Sequence, residues 1–181
     1  SIMKTLRYAA IFLLAALATA ATRDELWKKV EEAQEQGLPQ TAITNLVPII
    51  DQALKEKAWG EAVKAIGRRI ALDGNIQGNK PEECIVRLQA EIAEAPAAIK
   101  PMLRAVLAHW YWHYFQQNRW RFMSRSASAA PPGDDMQTWD LTRILGAVDD
   151  AFQQALAAAP TLQATPIAEY AALLSPGTVP D

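Results

Sequence analysis

Two histidines on one predicted helix are the first residues whose spacing could carry chemistry. His109 and His113 are four positions apart, which places both imidazoles on one helix face, where they could share a metal ion. A zinc hydrolase of the His-Glu-x-x-His type needs glutamate at the second position, and Trp110 stands there instead. The chain has 2 histidines, so a third ligand would have to be a carboxylate from elsewhere. We favour structural histidines without a metal ion, and a small metal-dependent hydrolase remains a hypothesis.

Aromatic and arginine side chains alternate through the segment 110–125. Such a mixture can stack on nucleic-acid bases, pack helices together, or form the anchors of a protein interface. Packing between helices, with arginines reaching nearby carboxylates, is the simplest interpretation, and a protein-binding surface is compatible with it. The candidate partner surface consists of Trp112, Tyr114, Arg119 and Trp120.

The other reactive residue types do not form a catalytic pattern. No serine lies in a nucleophile elbow, and the glycine-containing segment 74–78 lacks the lysine and the strand–loop–helix setting of a phosphate loop. Cys84 is predicted on an apolar helix face with Ile85 and Leu88, so we interpret it as a small hydrophobic side chain rather than a nucleophile. We therefore predict that the protein is not an enzyme and has no catalytic or cofactor-binding residue.

Composition restricts the class of protein further. The chain has 181 residues, of which 50% are hydrophobic and 21% are charged, so it can bury a core and is not wholly disordered. Its richness in alanine favours helices over strands. The formal charge of -2 argues against a general nucleic-acid binder. A single cysteine excludes an internal disulfide framework and a cysteine-rich metal site.

The N-terminal residues have the layout of a secretory signal. Two basic residues precede an apolar run at 8–17, and Ala-Thr-Ala follows at 18–20 as a cleavage pattern. The apolar run is too short for a permanent membrane anchor. We expect a signal peptide at 1–21, with residues 1–2 left from an expression vector; a buried helix is the alternative. The mature protein would be exported, periplasmic in a Gram-negative source, with no stable membrane anchor after cleavage.

Four helices are predicted in the first half of the protein. The first begins at Thr22, which forms a capping box with Glu25, and ends at Gly37. The second begins at Pro39 and contains Pro48, which should bend the helix or leave a carbonyl group unpaired. The third helix carries Trp59, Val63, Ile66 and Ile70, a turn-rich loop follows at 73–79, and the fourth helix runs from Pro81 to Pro96.

The second half contains the longest predicted helix, at 97–122. Its apolar stripe is so wide that it needs neighbours on more than one side, so we place this helix at the centre of the domain. A loop follows at 124–135, Thr138 caps a sixth helix that ends at Pro160, and a short last helix is predicted at 165–174. The inward residues of the sixth helix are predicted to be Leu141, Ile144, Leu145, Val148, Phe152 and Leu156.

These elements predict an all-α fold, an irregular stack of about six or seven antiparallel helices around the long aromatic-rich helix. The second and third helices together have the length of a tetratricopeptide unit, but the next pair begins at an offset of 42 residues, so the period is not kept. We assign the all-helical domain to 22–175 and a tail to 176–181.

Five ordered stretches carry a family resemblance. They read LWKKVEEA at 26–33, GLPQTA at 37–42, YWHYFQQNRWRF at 111–122, TWDL at 138–141 and PIAEY at 166–170. In this order, after a signal peptide, they resemble the N-terminal region of bacterial alpha-2-macroglobulin-like proteins, notably those common in Bacteroidetes. The specificity of the resemblance lies in the order and spacing of the stretches.

The resemblance implies a limited role for this protein. Members of the family trap proteases that cut a bait segment, and some carry a Cys-Gly-Glu-Gln thioester. Here Cys84 is followed by Ile85 and Val86, so the thioester motif is absent and no family active-site residue can be transferred. If the sequence is part of a longer protein, the inhibitory domains would lie beyond Asp181.

Three functional hypotheses follow. The first is a non-catalytic, exported helical module of an alpha-2-macroglobulin-like protein, a scaffold or docking domain for later macroglobulin domains of the same polypeptide or for a periplasmic protein partner. The second is a free-standing tetratricopeptide-like protein that binds a peptide or protein in an aromatic groove. The third is the metal-dependent hydrolase built on His109 and His113. None of the three involves nucleic acid.

Overall fold

The structure, a computed structural model, describes residues 22–78, 80–125, 133–171 and 173. Within these residues it is all-α and contains no strand, which confirms the predicted fold class. The predicted signal at 1–21, the tail at 176–181 and most of the predicted loop at 124–135 lie outside the described residues. The α-helices of the described part are α1 (Arg23–Glu35), α2 (Pro39–Lys55), α3 (Trp59–Ile76), α4 (Pro81–Glu94), α5 (Lys100–Gln117), α6 (Arg119–Met123), α7 (Leu141–Leu156) and α8 (Ala159–Ala164), with two 3-10 helices at Met136–Thr138 and Ile167–Tyr170.

The start of α1 is fixed by its capping box. The Thr22 hydroxyl accepts a hydrogen bond from the backbone N–H of Glu25 at 3.3 Å, and the Glu25 carboxylate accepts one from the Thr22 N–H at 3.0 Å. Two donors that the first helical turn cannot satisfy by itself are thereby paired. The sequence prediction for this helix start is confirmed.

Two tight turns connect α1, α2 and α3, and they use the same backbone geometry. Gly37 has φ +69° after α1, and Lys57 has φ +59° after α2. In each turn the next residue donates back to the helix that has just ended, from Leu38 N to Ala33 O at 2.8 Å and from Ala58 N to Ala53 O at 2.9 Å. This is the six-to-one hydrogen bond of a Schellman motif. Because both turns are short, α2 packs extensively against both α1 and α3.

Pro48 lies inside α2, as predicted, whereas the predicted loop after α3 is revised. Helix α2 continues through Pro48, which has no N–H to donate to the carbonyl of Thr44. Helix α3 extends to Ile76, so most of the predicted loop at 73–79 is helical. Gly74 lies within this extension, at the close-approach point between α3 and α4. A Cβ at Gly74 would lie 2.3 Å from the Cys84 sulfur, so this glycine is there for packing rather than for a turn.

Helix α5 lies at the centre of the domain, as predicted. It contacts α3, α4, α6, α7 and α8, most extensively α7. Its residue Leu103 is fully buried in one cluster that runs from Leu26 in α1 to Ala151 in α7. The predicted helix at 97–122 is too long, however. It begins at Lys100 and breaks at Asn118, whose side-chain amide donates to the Tyr114 carbonyl at 2.9 Å. The Asn118 backbone N–H donates to the same carbonyl at 3.1 Å, so the side chain adds a second hydrogen bond there rather than replacing the helical one.

The predicted details of α7 are partly wrong. Asp140, rather than Thr138, caps the helix, since its carboxylate accepts from the backbone N–H of Arg143 at 2.8 Å. Thr138 instead ends the preceding 3-10 helix. Of the residues predicted to face inward, Ile144 and Val148 are buried, while Leu145, Phe152 and Leu156 are exposed.

The physical reason is that α7 carries two apolar stripes at helical spacing. The inward stripe continues through Ala151 and Ala155, which are buried, and small residues there allow α7 to lie close to α5. The outward stripe of larger side chains has the same period, so periodicity alone could not choose between the two.

The segment after α7 also differs from the prediction. Pro160 lies in the first turn of α8 instead of ending the sixth helix, and the predicted helix at 165–174 is reduced to the 3-10 helix Ile167–Tyr170 in the described residues. This 3-10 helix packs on the start of α3, where a Cβ at Gly60 would lie 2.1 Å from the Glu169 carbonyl oxygen.

None of the helices in the described part has the length and apolar composition needed to cross a membrane.

Candidate functional site

The candidate partner surface divides into exposed and buried residues. Trp120 is 83% exposed, Trp112 is 41% exposed and Arg119 is also exposed. Tyr114 is only 2% exposed, so its assignment to a surface is corrected: it belongs to the core beneath. Its position on α5 explains this, because Tyr114 lies beside the buried stripe that contains Tyr111 and Phe115, whereas Trp112 points to the other side.

An arginine–aromatic cluster supports the exposed residues from below. The Arg121 guanidinium donates to the Tyr114 hydroxyl at 2.6 Å and lies 5.5 Å from the Tyr114 ring centre and 4.9 Å from that of Phe122. Burial raises the pKa of Tyr114, and the Arg121 hydrogen bond opposes that rise. Phe122 is fully buried, and its ring also contacts Phe115. The cluster therefore holds the short helix α6 firmly on the end of α5.

The exposed residues have the spacing of one helix face. Trp112, Arg119, Trp120 and Met123 are separated by seven, one and three positions, and Met123 is 50% exposed. The break at Asn118 is small, since the backbone hydrogen bonds from Asn118 N to Tyr114 O and from Phe122 N to Asn118 O carry the helical ladder across it. We call these four residues the α5–α6 surface. Two indole rings and a methionine thioether are left in solvent there.

The sequence segment that contains the α5–α6 surface carries only basic charges, while Glu82 and Asp135 from outside it lie close enough to raise the pKa of Tyr114. Between Glu94 and Asp134 the sequence contains no acidic residue, in a protein whose net charge is -2. The basic residues of this stretch are Lys100, Arg104, Arg119, Arg121 and Arg125. Within the residues that the structure describes, none of these five forms an ion pair with a carboxylate. The acid-free stretch is the sequence signal that could have drawn attention to this segment, and the exposure of Met123 in the structure adds that residue to the surface.

The two histidines lie on one face of α5, as their spacing predicts. Both are exposed, their rings stack at a centroid distance of 6.2 Å, and the His113 ring nitrogen Nε2 lies 2.7 Å from Nε2 of Gln117. They line a cleft of about 340 Å³ together with Trp110 and Cys84. Among the described residues, no three histidine, cysteine or acidic side chains come close enough to hold a metal ion. The geometry offers two imidazoles at most, which is an incomplete site for catalytic zinc.

Cys84 lines the same cleft and is poorly suited to attack a substrate. Burial raises the pKa of its thiol, and the neighbouring Glu83 and Glu82 raise it further. The Sγ atom lies 3.9 Å from the Ile70 carbonyl oxygen and packs against Gly74. A thiol with a raised pKa is mostly protonated at neutral pH, which agrees with the interpretation of Cys84 as a packing residue, although it is partly exposed.

Comparison of the sequence and fold with protein-family models, with curated proteins and with solved structures found no match.

Proposed function

We propose that the protein is a non-catalytic, exported helical module that docks an acidic polypeptide partner on the α5–α6 surface. The observation that carries this proposal is the 83% exposure of Trp120 on a helix that is itself firmly held. Tryptophan, methionine and arginine are enriched at protein interfaces, and buried tryptophans often supply most of the binding energy. The partner should carry acidic groups because Arg119, the basic residue of this surface, forms no ion pair with a carboxylate among the described residues.

The resemblance to alpha-2-macroglobulin-like proteins suggests which partner would bind the α5–α6 surface. Under this proposal, the α5–α6 surface packs against a macroglobulin domain encoded after Asp181, and the module positions the protease-trapping domains without taking part in their chemistry. A periplasmic protein with a matching acidic, apolar surface is the variant of this proposal in which the partner is a separate polypeptide. The free-standing peptide-binding protein would use the same residues.

The first experiment is to read the coding sequence downstream of codon 181. Macroglobulin domains in the same reading frame would support the module, and a stop codon directly after Asp181 would favour the free-standing binder. Where such domains follow, the next downstream domain is expressed separately and titrated with residues 22–181 by isothermal calorimetry.

Variants then locate the interface. Trp120→Ala should weaken binding at least tenfold, because a buried tryptophan anchor contributes about 2 kcal/mol or more, and Arg119→Gln should weaken it less. Val47→Ala is the matched control, since Val47 is 44% exposed on α2, which packs against α1 and α3. Equal binding by all three variants would refute the assignment of the surface. Tyr114→Ala is unsuitable as a test because it would remove a core side chain.

A further inference from the structure

A second cleft, separate from the α5–α6 surface and from the histidines, lies between α4, α5 and α7. Its volume is about 320 Å³, and aliphatic side chains such as Ile92 and Leu107 form part of its wall. This size lies at the lower end of the range for sites that take small organic ligands. The polar lining residues are Gln89, Arg104, Tyr111, Arg143, Asp150 and Gln154.

Two hydrogen-bond donors that line this cleft, on Arg104 and Tyr111, have no acceptor among the described residues. The Nε atom of Arg104 is buried and has no hydrogen-bond partner, and the Arg104 guanidinium makes no ion pair among the described residues. The Tyr111 hydroxyl accepts a hydrogen bond from Gln89 at 3.2 Å, while its own hydrogen is not donated to any described residue. Burial raises the pKa of Tyr111, so the hydroxyl keeps this hydrogen at neutral pH. The Nε itself is enclosed by protein, so a ligand in the cleft would meet Arg104 through its terminal amino groups, which have no hydrogen-bond partner among the described residues.

The charge of the cleft is positive after the acid in it is counted. Arg143 lies with its guanidinium carbon 4.8 Å from the ring centre of Trp139, which holds it at the rim. Asp150 also lines the cleft, but within the described residues it forms no ion pair with either arginine. Two guanidinium groups and one carboxylate leave a single net positive charge, which matches a ligand with one negative charge.

We propose that the cleft between α4, α5 and α7 binds a monocarboxylate with an apolar body, and that Arg104 and Tyr111 donate to the carboxylate. Guanidinium groups pair with carboxylates through short, charge-assisted hydrogen bonds. The apolar body would lie against Ile92 and Leu107. Two sources can supply such a carboxylate, a free organic acid or the carboxyl terminus of a polypeptide. The proposal does not depend on the docking role of the α5–α6 surface.

The test uses 3-phenylpropionate as a free acid, N-acetylphenylalanine as a mimic of a polypeptide carboxyl terminus, and the neutral amides of both as matched controls. Binding is followed by NMR chemical-shift changes of the full 181-residue protein. We expect at least one acid to bind at least tenfold more tightly than its amide, with the largest shifts at the amides of Arg104, Tyr111 and Arg143. Preference for the free acid or for N-acetylphenylalanine distinguishes the two sources.

Two variants and one control decide the role of the arginines. Arg104→Met should weaken acid binding at least tenfold while the melting temperature stays the same or rises, because an apolar side chain no longer leaves a buried donor unpaired. A merely structural arginine would lower the melting temperature instead. Arg143→Gln at the rim provides the second variant if Arg104→Met fails to fold, and it should also weaken binding. Arg119→Gln, which lies on the α5–α6 surface, should bind the acids normally.

The proposal is overturned if the acids and their amides bind equally, if neither acid binds at millimolar concentration, or if Arg104→Met and Arg143→Gln both bind like the unmodified protein. Loss of partner docking in Arg119→Gln with normal acid binding would separate this cleft from the docking surface.

Discussion

The region α1–α3 and the region α5–α7 differ in the hydrogen bonding and exposure of their arginine and aromatic side chains. In the first, the Arg23 side chain bonds to Glu56 and, at 2.8 Å, to Glu61, whose other carboxylate oxygen accepts from the Trp27 indole at 2.8 Å. Arg68 likewise bonds to Gln34 at 2.5 Å. In the second region the Nε atoms of Arg104 and Arg121 are buried without acceptors, and Trp120 is almost fully exposed.

The difference separates a self-sufficient scaffold from a surface that is open to ligands. Buried polar groups are normally satisfied inside the protein, so unpaired donors and bare rings concentrated in one region indicate that other molecules contact it. The cost of these unsatisfied groups is tolerated because functional residues are often not optimal for stability. We therefore place both proposed binding sites in α5–α7 and expect α1–α3 to respond to mutation only through stability.

The largest expected effects test whether the two regions share an equally good core. Leu46 in α2 and Leu103 in α5 are both fully buried. Leu46→Ala and Leu103→Ala should each lower the free energy of unfolding by about 2–5 kcal/mol, the range for large truncations in a packed core. Urea denaturation followed by circular dichroism measures both.

Trp120→Ala is the surface control and should change stability by less than about 0.5 kcal/mol. A loss of under about 1 kcal/mol for Leu103→Ala alone, below the core range, would mean that α5–α7 is loosely packed. The exposed rings and unpaired arginines would then be a consequence of poor packing, and the contrast with α1–α3 would lose its functional meaning.

A smaller effect is expected from the charge network of the scaffold region. Glu61→Ala removes one of the two carboxylate acceptors of Arg23 and the acceptor of the Trp27 indole, and the Arg23 and Glu61 side chains are each 22% exposed. We expect a loss of about 1–2 kcal/mol, since hydrogen bonds to a charged group contribute more than neutral ones but solvent screens part of the interaction. Thermal unfolding at low and high salt measures it, and the loss should shrink at high salt.

Arg104→Met is the matched change in the region α5–α7, and it should not lower the free energy of unfolding. If Glu61→Ala were neutral and Arg104→Met costly, the assignment of scaffold and binding regions would be reversed.

Local signals in the sequence predicted much of the fold. The Thr22–Glu25 capping box and the prolines that open α2 and α4 are confirmed, because caps and proline act through backbone groups only a few residues away. The central place of α5 followed from the width of its apolar stripe. The break at Asn118 was missed because one asparagine in a strongly apolar segment gives a weak signal.

The candidate site was harder to predict than the fold. Helical spacing from Tyr111 and Phe115 could have placed Tyr114 in the core, whereas the exposure of Trp120 depends on how α6 packs through Phe122. The unpaired Nε of Arg104 depends on how α4, α5 and α7 meet. Such tertiary contacts join residues far apart in sequence, and no local pattern predicts them.

The smallest expected effect on stability lies in the turn between α2 and α3, where a residue other than glycine adopts a strained backbone conformation. Lys57 adopts φ +59° in the position that Gly37 occupies, at +69°, in the preceding turn. A residue with a Cβ is strained in this left-handed conformation, whereas glycine adopts it freely but loses more entropy on folding. Lys57→Gly should therefore raise the free energy of unfolding by about 0.5–1 kcal/mol, and Gly37→Ala should lower it by about 1 kcal/mol. Urea denaturation of both variants measures the pair. Destabilisation by Lys57→Gly would show that the lysine side chain contributes more than the backbone strain it carries, and the two turns would not be equivalent.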